Sequence, residues 1–180
     1  DSYLRTTARG VYAAGDVIGG PQFTHLAGWQ CFQAVRNALL PGNAAGQPAH
    51  LPRVTFTDPE VAQVGLGAAN PPASVVHRRA LDRTDRAVCD GETEGFIEIV
   101  VNRSGRVLGA TIVAPRAGEM ITELTLAMNA GSTLAELAAT VHPYPTYSML
   151  VQELASEVTI DAFVGGSTAK LATKLGRMWR

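Results

Sequence analysis

The sequence has no block of like charge. Fifteen basic and sixteen acidic residues are scattered over 180 positions and leave a formal net charge of −1. That balance favours neither nucleic acid nor an anionic membrane surface as a partner. Cysteine is almost absent. Cys31 and Cys89 lie far apart and share no C-x-x-C spacing, which argues against a disulfide framework or a thiolate metal site. No metal centre is expected, and a reducing, cytoplasmic setting fits best. No signal peptide opens the chain, and no apolar run is long enough to span a bilayer. An initiator methionine is missing too. "DSYLRTTARGVYAAGDVIGG" opens in mid-sequence, with the expectation that an N-terminal remainder precedes it.

What is present is a globular composition, 46% hydrophobic and 17% charged, over a length that allows one domain or a domain plus part of another. "GVYAAGDV" (10–17) has short buried-strand character and ends in Gly15-Asp16. "THLAGWQCFQAVRNALL" follows as a helix, with Thr24 as its expected N-cap and Leu26, Trp29, Phe32 and Val35 as its apolar face. Pro41-Gly42 stops it, and "GNAAGQPAHLP" reads as a linker, with a domain boundary near residue 51.

Beyond the linker the texture turns to strands: "RVTFT" (53–57), "VAQVGL" (61–66), "SVVHRRAL" (74–81) after a Pro-rich loop, "GFIEIVV" (95–101) and "RVLGATIVA" (106–114). The last two bracket the turn "NRSG" as a hairpin. Helical periods follow over 118–131, 133–140 and beyond Thr146. Met120, Leu124, Ala127 and Met128 share one face of the first; Val151, Leu154, Ala155 and Val158 share one face of the last. Strands followed by helices predict an α+β domain with an antiparallel sheet flanked by helices. Cys89, Glu92 and Glu94 fall in "VCDGETEG", read as a solvated turn with an incidental thiol.

Two stretches carry chemistry. In "YAAGDVIGGPQFTHLA" a carboxylate at a strand end, beside a glycine, can accept hydrogen bonds from a ligand hydroxyl. The amides opening the next helix can hold a partially negative atom. "GVYAAGDV" with "PQFTHLA", "VTFTDPEVAQVGL" (54–66) and "DRAVCDGETEGFIEIVVNRSGRVLGATIVAPRAGEMI" together resemble the pyridine nucleotide–disulfide oxidoreductases, in order and over nearly the whole chain. The resemblance implies that residues 1–50 are the tail of an FAD-binding domain and 51–180 a homodimerisation domain. It implies that Gly15-Asp16 meets the ribityl chain of FAD, and that the backbone around Thr24, His25 and Leu26 faces the flavin. In the parent enzyme NAD(P)H would be the electron donor, and a redox-active cysteine pair would precede residue 1. The substrate would be a small molecule or a metal ion.

The second stretch is "TVHPYPTYSM" (140–149), a Pro-rich corner before a helix. In the disulfide reductases it resembles, this position reads H-P-T-x-x-E, a His–Glu acid/base pair working on the partner subunit's thiols. Here Tyr144 stands at the His position and Met149 at the Glu position, so that dyad is absent; His142 lies two residues early. Tyr144 and His142 are the candidate catalytic residues, Tyr144 as a substrate contact and His142 as a base. Tyr147 is expected to pack, and the Tyr144–Pro145 bond to be cis, as in the family. Tyr at this place is shared with mercuric reductases, but the ending "KLATKLGRMWR" lacks their vicinal cysteines. Metal ion, quinone and oxygen remain open as acceptors. So does a chain that serves only as a dimerisation module.

Overall fold

The computed structural model describes residues 1–69 and 73–165. The centre of the Pro-rich loop and the ending "KLATKLGRMWR" lie outside the described residues. The chain divides into two compact units, Asp1–Leu51 and a second beginning at Pro52, and each is taken by itself.

In the first unit the strand expected over 10–17 shrinks to one antiparallel bridge, Arg5 to Tyr12, followed by a 3-10 turn at Gly15–Ile18. Val11 is 52% exposed. An extended segment with no strand alongside leaves its backbone unpaired, so the run does not persist as a strand. Helix α1 (Thr24–Leu39) has Phe23, not Thr24, at its N-cap, with no side-chain cap bond. Its inward face also differs from the apolar stripe. Leu26, Gln30, Ala34 and Asn37 are buried, while Phe32 and Val35 are 68% and 57% exposed.

The polar residues face inward because the surrounding loops need hydrogen-bond partners. Gln30 Oε1 accepts from Gly15 N at 2.8 Å, and Gln30 Nε2 donates to Gly46 O at 3.0 Å. Asn37 Nδ2 donates to Tyr3 O and Ala44 O, and Asn37 Oδ1 accepts from Ala44 N at 2.7 Å. Leaving such buried groups unpaired costs about 1–3 kcal/mol each.

The second unit is α+β, as expected. Strands β1 (Arg53–Thr55), β2 (Glu60–Gly65), β3 (Ser74–Ala80), β4 (Phe96–Asn102) and β5 (Val107–Ala114) form one antiparallel sheet in the order β1-β2-β5-β4-β3. The β4–β5 hairpin forms where predicted. Asn102 Oδ1 accepts from the amides of Ser104 and Arg106, and Gly105 turns the chain at φ +80°. Pairing of β2 with β5 joins this meander to the β1–β2 hairpin.

Side chains alternate across the sheet. Ala62, Val64, Ile97, Ile99, Ala110 and Ile112 point to the buried face. On the other face Gln63, Thr111, Glu98 and Arg78 form a polar row across four strands. Helices α3 (Ala117–Ala130), α4 (Leu134–Ala139) and α5 (Met149–Gly165) supply the opposing core residues, including Met120, Leu124, Leu137, Leu150, Val151 and Leu154. Glu60, the first residue of β2, accepts from Gly118 N at 2.9 Å and so caps α3. A Thr133–Glu136 capping box opens α4.

One element was not foreseen. Residues Asp85–Asp90 form a short helix, α2, ended by Gly91 in the left-handed conformation. Cys89 therefore sits on a helix rather than in a turn, and its thiol is free and exposed. Ala87 is fully buried, and so is Leu81 in the 3-10 turn just before.

Leu124→Ala, at a fully buried position of α3, should lower the unfolding free energy by about 2–5 kcal/mol. Thr133→Ala should cost about 1 kcal/mol through the lost cap. Urea denaturation of the two variants checks both values, and equal costs would contradict the assignment of core and cap.

Candidate functional site

In the first unit the candidate cofactor loop is built around Gly15. Its φ of +77° lies in the left-handed region, and a Cβ there would stand 3.0 Å from Ala27 Cβ on α1. Both facts require glycine. Gln30 holds the Gly15 amide from inside the unit. Asp16, the next residue, is exposed in the 3-10 turn, and its carboxylate accepts no hydrogen bond among the described residues. Thr24 and His25, in the first turn of α1, are exposed; the His25 ring stacks on Phe23 with centroids 5.2 Å apart. Leu26 is buried, so its side chain belongs to the packing of the unit. The N-cap residue, Phe23, offers no side-chain hydrogen bond to the first turn of α1. A free carboxylate beside an uncapped helix N-terminus fits a polyol hydroxyl and an electron-rich ring edge.

In the second unit the corner 140–149 is tethered on two sides. His142 Nε2 lies 2.9 and 3.1 Å from the two carboxylate oxygens of Glu123 on α3, and Nδ1 lies 3.1 Å from Thr140 O. The imidazole is only 5% exposed. A His–carboxylate pair thus exists at this corner. Its carboxylate comes from α3, nineteen residues upstream, and not from the first turn of α5, where Met149 stands. Both ring nitrogens face oxygen acceptors, of which a neutral imidazole donates to only one.

The tyrosines turn to α2. Tyr144 donates from its phenol to Asp85 Oδ2 at 3.0 Å and is 68% exposed. Tyr147 donates to Asp90 Oδ2 at 2.9 Å and is 5% exposed, so it packs as expected and is hydrogen-bonded as well. Arg86 Nε pairs with the same Asp90 oxygen at 2.7 Å, one turn along α2. The Tyr144–Pro145 peptide is cis.

These contacts set the electrostatics. The Asp85 hydrogen bond and its charge raise Tyr144 above the ordinary phenol value. Burial first, then the Asp90 hydrogen bond, pushes Tyr147 up to about 12. The bond from Arg86, followed by that from Tyr147, holds Asp90 below the usual carboxylate range. A phenol is a poor base near neutrality to begin with, and the Asp85 bond makes Tyr144 a donor. Beside Tyr147 a cavity of about 190 Å³ is lined by Arg86, Arg116, Glu119, Thr146 and Ser148, with charges of both signs. Among the described residues no cluster of three metal-ligating side chains occurs, and no helix is long and apolar enough to cross a membrane.

Sequence reasoning missed Glu123, Asp85 and Asp90. The one available signal for the aspartates was their five-residue spacing, which places them at the two ends of a single short helix.

Residues 51–155 match the dimerisation domain of the pyridine nucleotide-disulphide oxidoreductases. Dihydrolipoyl dehydrogenase 3 of Pseudomonas aeruginosa is 37% identical over 160 residues, covering 86% of this chain and 34% of that protein. A mercuric reductase of Acidithiobacillus ferrooxidans is 38% identical over 120 residues, covering 64% of this chain and 22% of that protein. The crystal structure of LpdA from Mycobacterium tuberculosis superposes with a TM-score of 0.80 at 33% identity, covering 88% of this chain and 36% of that one. The chain thus spans about a third or less of the length of these relatives.

Tyr147 generates a pH dependence. Its folded-state value lies above the unfolded phenol value of 10.0, so the stability it contributes is complete below pH 10 and lost as pH rises to about 12. Tyr147→Phe should remove most of that alkaline loss in thermal melts run from pH 8 to 12. An unchanged alkaline slope would contradict the buried-phenol assignment.

Proposed function

The chain belongs to the pyridine nucleotide-disulphide oxidoreductase family, and on that premise we propose that it is the C-terminal part of an FAD-dependent, NAD(P)H-oxidising enzyme. Residues 1–50 close the flavin-binding domain of that enzyme, and residues 51–180 form the dimerisation domain of a cytoplasmic homodimer. One observation carries this reading. The matched dimerisation domain follows, in one chain, a unit whose free Asp16 carboxylate and uncapped α1 N-terminus fit a flavin.

When bound, the flavin supplies two-electron redox chemistry. The chain's own residues bind and orient. Asp16 would accept from a ribityl hydroxyl, Gln30 fixes the loop that carries Asp16, and the residues opening α1, Thr24 and His25, would help hold the ring. Across the dimer the corner 142–149 completes the partner's active site. Tyr144, exposed and committed as a donor, forms a wall or substrate contact, while His142 anchors the corner through Glu123. A corner without the His–Glu pair of the family's motif fits an acceptor that needs no thiol deprotonation, such as a metal ion, a quinone or oxygen.

A second reading has its own support. The chain spans 34% of the length of the dihydrolipoyl dehydrogenase it matches, and on this reading it would serve by itself only as a dimerisation module. Mixing the chain with FAD separates the two, because stoichiometric, retained yellow flavin contradicts the module. In a full-length flavoprotein containing this chain, Asp16→Ala should weaken FAD binding by about 10- to 100-fold, from the loss of one hydrogen bond to a charged group. Unchanged flavin affinity by fluorescence titration would remove Asp16 from the site.

Dimerisation has a physical basis in exposed apolar side chains of the helical layer. Leu126 is 68% exposed, Val141 94%, Ile160 59% and Phe163 60%. Light scattering at micromolar concentration should give twice the 19.0 kDa chain mass, and Leu126→Arg should shift it toward monomer. A clean monomer mass for the unsubstituted chain would contradict the homodimer.

A further inference from the structure

We propose that Asp85 is the positioning residue for Tyr144: it accepts the phenol's hydrogen bond and fixes the exposed ring as a neutral donor with its remaining acceptor capacity turned outward. This rests on the reading of Tyr144 as a substrate contact. It adds the partner that sets the phenol's direction.

Tyr144 is 68% exposed, and its only polar side-chain contact among the described residues is Asp85 Oδ2 at 3.0 Å. An exposed tyrosine so placed would sample several rotamers unless its acceptor were itself held still. Asp85 is held. The residue before it, Thr84, is 1% exposed and donates from Oγ1 to Glu153 Oε2 on α5 at 2.9 Å. Leu81 and Ala87 on either side are fully buried in the core of the unit. Val88 N closes the first turn of α2 on Thr84 O at 3.1 Å. The short helix is pinned at its start, and Asp85 is the first residue it presents outward.

A second tyrosine makes the contrast explicit. Tyr147 binds Asp90, whose charge is shared with Arg86 at 2.7 Å. No cation pairs with Asp85 among the described ion pairs, so no direct ion pair offsets its charge beside Tyr144. The remaining titratable neighbour of Tyr144 is the Cys89 thiol, also on α2. A phenol whose proton points at a fixed carboxylate offers its oxygen as an acceptor within a negative local field. It therefore favours a substrate group that is cationic or donates a hydrogen bond, and disfavours an anion.

The test is a pH titration of the chain labelled with ¹³Cζ-tyrosine, with the Tyr144 resonance assigned by Tyr144→Phe. Tyr144 should titrate above 10.0 in the unsubstituted chain and fall close to 10.0 in Asp85→Asn. Asp85→Glu should keep the raised midpoint, because the carboxylate is retained. Tyr147 should stay at about 12 in both variants and so reports that the fold is intact. Cys89→Ser should leave most of the rise in place. A Tyr144 midpoint that Asp85→Asn leaves unmoved overturns the proposal, as does one that Cys89→Ser alone brings to the ordinary value. The experiment uses neither flavin nor turnover, so its failure is distinguishable from a failure of the flavin-binding assignment.

Discussion

The pairing of β2 with β5 is the constraint on which the second unit rests. It sets Ala62 against Ile112 and Val64 against Ala110, joining a two-stranded hairpin to a three-stranded meander with one continuous buried face. A slip of β2 by one residue would turn Gln63 inward and its own apolar residues Ala62 and Val64 outward. The same register carries the corner. It brings Glu60, at the start of β2, to the amide of Gly118 that opens α3. Helix α3 in turn presents Glu123, and Glu123 holds His142. The path from sheet register to candidate site therefore passes through two carboxylates, each accepting from a group on another element.

The corner is tethered to its neighbours by side chains. Three of its side chains reach carboxylates on neighbouring helices: His142 to Glu123, Tyr144 to Asp85 and Tyr147 to Asp90. Each contact is a hydrogen bond to a carboxylate, the stronger class of such bonds. Together they hold a Pro-rich segment that no regular backbone ladder reaches. The position of this corner is the one at which the family resemblance places an acid/base pair. In this chain the residues that would form that pair, Tyr144 and Met149, are a donor phenol and a thioether.

Much of the second unit was legible because β-branched runs and turn residues act locally. All five strands, the hairpin turn and three of the four helices lie within a residue or two of the positions their periodicity indicates, except β1, which ends at Thr55. What escaped was decided at a distance. Helix α2 was read as a turn because Gly91, Glu92 and Gly95 dominate the composition around it, while its stability comes from Leu81 and Ala87 in the core. Helix α1 turned its polar side chains inward because Gln30 and Asn37 satisfy loops fifteen or more residues before them, at Gly15 and Tyr3. Apolar periodicity carries no record of such demands. Glu123 was hidden for the same reason, since its contact with His142 depends on how α3 lies beside the corner.

The central claim is that the corner is held in place by these side-chain tethers on a scaffold set by the sheet. Amide hydrogen exchange of the chain with and without Glu123→Ala tests it most directly. The account predicts faster exchange at His142, Tyr144 and Thr146, with the amides of β2 and β5 as protected as before. Unchanged exchange at the corner, or equal acceleration across the sheet, would contradict it.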